Sequence, residues 1–349
     1  MRWLWRSRSF AAKAARSALL PLAGLYRAGV AARNAAYDAG LAKKSPLARP
    51  SIGVGNLAVG GTGKSPLTAF LAAELKRRGV TAGIVLRGYG ADEVAEHRAS
   101  SPDAAVEADP DRHRAAEKAA QRGAEVLVLD DCLQRRDVQT DVMLAIVSAD
   151  TWNAPRWPLP AGPWREGPGA LARADAVVVT RKAASQQSAD ELRRALAPRT
   201  RGKAGVTASL ELLALARMDG GPAADLLMLA GRDVLAVSGI GEPDLFVEQL
   251  RRLGARVEPL SFGDHHAYTA GDVQQIITRA GTRWIVTTGK DAVKLQGLWP
   301  AGGPVCYVAR LGVRIESGAD VLDGLLDRVA TAARTNNPEV AAAPPARTS

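Results

Sequence analysis

The chain reads as an α/β protein built on a parallel sheet with helices on its faces. Ser51-Ile52-Gly53-Val54, Ala82 to Leu86, Val126 to Leu129, Val142 to Val147 and Ala176 to Thr180 are short, continuously apolar runs, as strands buried on both faces require. Helical segments separate them, and alternating strands and helices give parallel sheets. The first strand runs into Val54-Gly55-Asn56-Leu57-Ala58-Val59-Gly60-Gly61-Thr62-Gly63-Lys64-Ser65-Pro66. After it, Leu67, Phe70, Leu71 and Leu75 recur at helical spacing up to the stop at Arg77-Arg78-Gly79.

A strand, a glycine-rich turn and a helix in that order make a phosphate-binding loop, so the sheet is P-loop NTPase-like. Backbone N–H groups from Gly60 to Ser65, including Thr62, and the positive end of the helix dipole converge there on a triphosphate. Gly60, Gly61 and Gly63 permit the close approach. Lys64 reaches the outer phosphates and the Ser65 hydroxyl holds a magnesium ion. Ala58 stands where the usual pattern has glycine. Asp130 and Asp131 follow the apolar strand Val126 to Leu129, which puts a carboxylate at its carboxyl end beside the metal. Either aspartate fits that role.

With 349 residues, 47% of them hydrophobic, the chain has room for two folded domains. Cys132 and Cys306 offer neither a disulfide framework nor metal-ligand spacing. The net charge is +10, but residues 1–45 hold nine Lys/Arg against one acid, Asp38. A basic end on a nearly balanced protein argues against a nucleic-acid partner. That end also carries Trp3, Leu4, Trp5, Phe10, Leu19, Leu20, Leu22, Leu25 and Tyr26, a mixture suited to a helix lying in an anionic membrane interface. Its uncharged run from Ser17 to Tyr26 is too short to span a bilayer.

The division expected is therefore a membrane-associating segment at 1–45, a nucleotide-binding domain at 46–201, a smaller α/β domain at 202–334 and a disordered tail at 335–349. In the first domain, Pro110-Asp111-Arg112 starts a helix, and Leu159-Pro160-Ala161-Gly162-Pro163-Trp164-Arg165-Glu166 forms a rigid loop. In the second, Val234 to Val237 and Trp284 to Thr288 are strands. Pro243 to Leu253, Asp272 to Ala280 and Val321 to Arg334 are helices.

Taken in order, these motifs resemble the tetraacyldisaccharide 4′-kinase family of lipid A biosynthesis. The matching residues are the phosphate loop with its flanks, Arg87-Gly88-Tyr89-Gly90, Pro110-Asp111-Arg112, Asp130-Asp131 with Leu133-Gln134, and Leu159 to Glu166. They continue with Ser238 to Gly241, Asp264-His265-His266 with Tyr268, and Thr287 to Leu295. The resemblance implies transfer of the γ-phosphate of ATP, with Mg2+, to the 4′-hydroxyl of a lipid disaccharide 1-phosphate. It implies a peripheral or monotopic protein at the cytoplasmic face of the bacterial inner membrane. It assigns Asp92 as the base that takes the hydroxyl proton, His265 as its partner, and Tyr89, Arg112, Arg165 and Glu166 to the substrate. Cys132, Arg135 and Gly289 depart from the family pattern, and the loop before Asp92 is short. A membrane-bound switch ATPase is the other reading; it would not need Asp92, His265 or the 159–166 loop.

Overall fold

A computed structural model of the chain describes residues 2–7, 9–88, 91–200, 202–203 and 205–336. It opens with α1 (Arg2–Arg6), α2 (Phe10–Asp38), β1 (Ser45–Pro46), β2 (Ser51–Asn56), α3 (Lys64–Arg77), β3 (Ala82–Leu86), α4 (Ala91–Ser100) and β4 (Ala105–Ala108). Next are α5 (Arg112–Gln121), β5 (Val126–Leu129), β6 (Val138–Gln139), β7 (Val142–Ser148), β8 (Ala176–Arg181), α6 (Gln186–Leu196) and β9 (Gly205–Arg217). The chain continues through β10 (Asp233–Ser238), α7 (Pro243–Arg252), β11 (Arg256–Ser261), α8 (Ala270–Ala280), β12 (Trp284–Thr288), α9 (Gly289–Leu295), β13 (Cys306–Ser317) and α10 (Ala319–Asn336). Most of the tail expected at the carboxyl end lies outside the described residues.

Strands β1 and β6 pair with each other; the rest form one eleven-stranded sheet ordered β11-β10-β12-β13-β9-β8-β7-β2-β5-β3-β4. Every pair in it is parallel except β13 with β9. The registers explain the shape. Strand β8 pairs with the start of β9, from Val177↔Gly205 to Arg181↔Ser209. Strand β12 pairs with the start of β13, from Ile285↔Cys306 to Thr288↔Ala309. The antiparallel ribbon runs from Arg217↔Tyr307 to Thr207↔Ser317. The two parallel sets thus hang from opposite ends of one ribbon, and their carboxyl ends face each other over its middle.

Burial follows the sequence pattern. In β5, Val126 and Val128 pack into a core with α3 and α10, whereas Leu127 and Leu129 pack on the other face against Ala115, Ala116 and Ala119 of α5. A strand covered on both faces has no polar position, hence the unbroken apolar run. Gly55 in β2 marks a close crossing, since a Cβ there would lie 2.4 Å from the backbone nitrogen of Leu133. That crossing brings the turn after β5 down onto the phosphate loop. The alanine-rich stretch from Ala91, which carries no clear helical pattern, forms α4. Asp111 caps α5 through its side chain, so Pro110 precedes the cap instead of occupying the first turn.

Candidate active site

A cleft of about 620 Å3 lies between the facing strand ends, walled by the phosphate loop, α4, the turn after β5, α9 and residues Tyr26, Val30 and Arg33 of α2. The loop is built to turn its amides inward. Lys182 Nζ donates to the carbonyl of Gly61 at 2.7 Å, and Thr180 Oγ1 to that of Thr62 at 2.8 Å. Asn56 Nδ2 donates to Thr62 Oγ1 at 2.7 Å, and the Val59 amide to the Pro163 carbonyl at 2.8 Å. Gly63, at φ +93°, occupies the left-handed region and starts α3 without a side-chain cap. The first-turn N–H groups and the helix dipole are therefore left for an anionic ligand. A Cβ on Gly60 would meet nothing within 4 Å, whereas one on Gly61 would come within 3.3 Å of Glu242 and Lys182.

The two aspartates after β5 separate. Asp130 is buried; its Oδ2 accepts from Ser65 Oγ at 3.4 Å and lies 3.1 Å from Nε2 of the buried His97. Its Oδ1 is buried without a hydrogen-bond partner. Burial works against the charge on Asp130, but His97 and then Lys64 outweigh it and hold the carboxyl below the usual range. An ionised carboxylate only accepts, so His97 donates through Nε2. Asp131, at φ +55°, turns the other way. Its two oxygens accept from Arg165 Nη1 at 2.6 and 2.7 Å, and Lys64 Nζ lies 3.7 Å from it.

Among the described residues, no group of three or more His, Cys, Asp or Glu side chains is placed to hold a metal alone. The donor set nevertheless fits Mg2+. That ion takes hard oxygens, keeps several waters, and is commonly held by one carboxylate plus substrate phosphates. Ser65 Oγ and the unpartnered Oδ1 of Asp130 would supply the protein's share.

Asp92, in the first turn of α4, faces the same cleft. His265 Nδ1 lies 3.4 Å and Lys294 Nζ 3.1 Å from Asp92 Oδ2, both reaching from the second half. Partial burial raises its pKa, yet Lys294 and then His265 pull it below the ordinary carboxylate value. His265 sits at φ +58°, its amide bonded to the Gly239 carbonyl at 3.0 Å. His266 packs instead, stacked on Phe262 at 4.8 Å and bonded to Asp272 at 3.1 Å.

The substrate candidates divide. Arg165 lines the cleft. Arg112 is 1% exposed, so it is no solvated helix residue. Its Nη2 donates to the Asp130 carbonyl at 2.9 Å, while Nε and Nη1 at the cleft wall have no partner. Glu166 turns away from the cleft: both oxygens accept from Arg173 at 2.9 Å, and one accepts from Asn34 of α2 at 2.9 Å. It ties α2 to the 159–166 loop, and Trp5 Nε1 ties α1 to the same loop by donating to the Pro160 carbonyl at 3.1 Å. Tyr89 lies outside the described residues. His97, Glu96, Lys182 and the roles of Lys290 and Lys294 are not foreseen from sequence. The matching spacing of Asp92–Glu96 and Lys290–Lys294 was the available signal for the last two.

A phosphate loop, a carboxylate beside its serine and a second carboxylate across one cleft define a phosphoryl-transfer enzyme of the P-loop class. The model of the family described as tetraacyldisaccharide-1-P 4′-kinase (LpxK) matches residues 15–109 and 92–330. Among similar proteins, the tetraacyldisaccharide 4′-kinase of Anaeromyxobacter dehalogenans (strain 2CP-C) is 36% identical over 353 residues, covering 92% of this chain and 93% of its own. That of Aromatoleum aromaticum is 36% identical, covering 83% and 87% respectively. The crystal structure of LpxK from Aquifex aeolicus in complex with ATP superposes with a TM-score of 0.72 at 28% identity, over 90% of this chain and 99% of that one. The chain belongs to the tetraacyldisaccharide 4′-kinase family and is an ATP-dependent kinase.

The two aspartates should separate in nucleotide binding. Calorimetric titration with ATP should show Asp130→Asn losing about tenfold or more of the affinity that Mg2+ adds. Asp131→Asn should keep most of that increment, and equal losses would contradict the placement.

Proposed function

We propose that this chain transfers the γ-phosphoryl group of ATP to the 4′-hydroxyl of a tetraacyl glucosamine disaccharide 1-phosphate, forming a lipid IVA-type precursor of lipid A. The observation that carries this reading is Asp92, backed by His265, on the same cleft as the phosphate loop. A sugar hydroxyl is a weak nucleophile until its proton is removed as the new bond forms. Asp92 takes that proton while the 4′-oxygen bonds to phosphorus; the bond from phosphorus to the β–γ bridging oxygen breaks and ADP leaves. His265 orients Asp92 and shares the proton's charge. Lys64 offsets negative charge on the transferring group, and the loop amides hold the remaining phosphates. Mg2+, when bound by Ser65 and Asp130, neutralises charge on the phosphate oxygens. Arg165 and Arg112 are suited to an acceptor phosphate, since a guanidinium presents paired donors.

Helices α1 and α2 support action at the cytoplasmic face of the inner membrane. Trp3, Phe10, Leu22 and Leu25 are 57%, 87%, 53% and 71% exposed, beside basic Lys13 and Arg27. Among the described residues no helix is long and apolar enough to cross a membrane, so the fitting posture is interfacial. Because α2 also walls the cleft, a lipid held in the interface has a short route to the phosphate loop.

A mass-shift assay on a lipid A disaccharide precursor tests the activity. The wild-type chain should add one phosphate, and Asp92→Asn should slow this by about 10²–10⁴-fold, the usual range for a general base. ATP hydrolysis without phosphorylated lipid would favour the switch ATPase. Replacing Leu22 and Leu25 with Glu should release the protein from anionic vesicles in sedimentation, and unchanged binding would refute the interfacial posture.

A further inference from the structure

Helices α4 and α9 pack together across the cleft with opposite charges facing. Asp92 and Glu96 stand four apart on α4, and Lys290 and Lys294 four apart on α9, so each pair shares one helix face. Lys294 Nζ lies 3.1 Å from Asp92 Oδ2, and Lys290 Nζ 3.8 Å from Glu96 Oε2. The scaffold beneath α9 is firm. Thr288 caps the helix, and the buried Asp291 accepts from Thr288 Oγ1 at 2.6 Å and from the Tyr268 hydroxyl at 3.0 Å. By contrast His265 is a loop residue with a side chain 58% exposed, against 18% for Lys294.

We propose that Lys294 is the positioning residue for the acceptor base: it fixes the Asp92 carboxylate at the cleft and keeps it in its proton-accepting form, with Lys290–Glu96 as the second rung that sets the helix register. The proposal rests on the reading of Asp92 as the base. A largely exposed loop histidine, bonded to the same oxygen at 3.4 Å, holds the carboxylate less firmly on its own. An ammonium on a packed helix, bonded to one oxygen, leaves the other for a hydroxyl.

Among the described residues, charged groups reach the surroundings of Asp92 from several elements, Arg87 after β3 among them. Helix α9 brings Lys294 and Lys290, the loop after β11 brings His265 and Asp264, and α4 itself carries Glu93 and Glu96. Helix α3 brings Lys64, which lies against Asp131, and β4 brings Glu107, which pairs with Arg122. Lys294 favours the charged form of Asp92, so its removal raises the pKa of the base. Activity that needs ionised Asp92 is then lost at a higher pH on the acid side.

The test is the pH dependence of kcat and kcat/KM for the full chain, with the lipid disaccharide varied at saturating Mg-ATP. Lys294→Met should lower kcat about 10–100-fold through misplacement of the base. It should leave KM for ATP within about twofold, because the phosphate loop is untouched. Its acid limb should move to higher pH, Lys294→Arg should restore the limb, and Lys290→Met should leave it in place. A Lys294→Met enzyme with the wild-type acid limb overturns the proposal, whatever its rate, because a merely structural lysine would not tune the base. Asp92→Asn run alongside separates the failures. If it is inactive while the Lys294→Met limb stays put, only the role of Lys294 falls. If it is fully active, the base assignment falls with it.

Discussion

The antiparallel pairing of β13 with β9 is the constraint on which the rest depends. Parallel sheets offer ligands the carboxyl ends of their strands, where loops and helix starts converge. Here there are two such edges, and the ribbon turns them toward one another because β8 and β12 join it at opposite ends. The phosphate loop after β2 and Asp130 after β5 belong to one edge. His265 after β11 and Lys290 and Lys294 after β12 belong to the other. Neither edge alone holds both the phosphate loop and the cations that meet Asp92. Even the loop's own carbonyls rely on distant anchors, Thr180 at the end of β8 and Lys182 just beyond it.

The electrostatics sort into two sides. On the phosphate side, Lys64 and Arg165 both meet Asp131, so two cations share one carboxylate and leave net positive charge close to the loop. Arg112 carries its charge into a buried position, and desolvation pulls its pKa down while two of its nitrogens stay unpartnered. An unsatisfied buried guanidinium is costly, and an anion at the cleft wall would relieve that cost. On the other side of the cleft, Lys294 and His265 from the second half hold the Asp92 carboxyl below its ordinary value. Glu96, one turn along, is pushed up by burial, with Lys290 opposing. The same helix thus carries one carboxyl tuned toward ionisation and one tuned away from it.

Much of this was legible in the sequence, for physical reasons. The phosphate loop announces itself because glycines, lysine and serine at fixed spacing between strand and helix do one job. Strands such as β5 and β8 stand out because burial on both faces tolerates no polar residue. Strand β11 hides because it is an edge, with Pro259 and polar residues and only Leu260 buried. Strand β13 hides because Arg310, Gly312 and Arg314 interrupt its apolar run while pairing with β9 decides its fate. Glu166 and His97 show the limit of motifs. A glutamate beside an arginine in a matching loop faces Arg173 and α2, and a histidine in no motif reaches Asp130 because α4 packs between β4 and α9 beside the turn after β5. Side-chain direction follows from packing across distant segments, which local spacing does not encode.

The central claim is that a base on one half acts through a partner on the other, and a double-mutant cycle on Asp92 and His265 tests it most directly. Phosphoryl transfer to the lipid disaccharide would be measured as kcat/KM for Asp92→Asn, His265→Ala and the pair. Groups acting as one unit are non-additive, so the double variant should be scarcely slower than Asp92→Asn alone. Losses that multiply would mean the two side chains work independently, and the cleft would not be the assembled site described here.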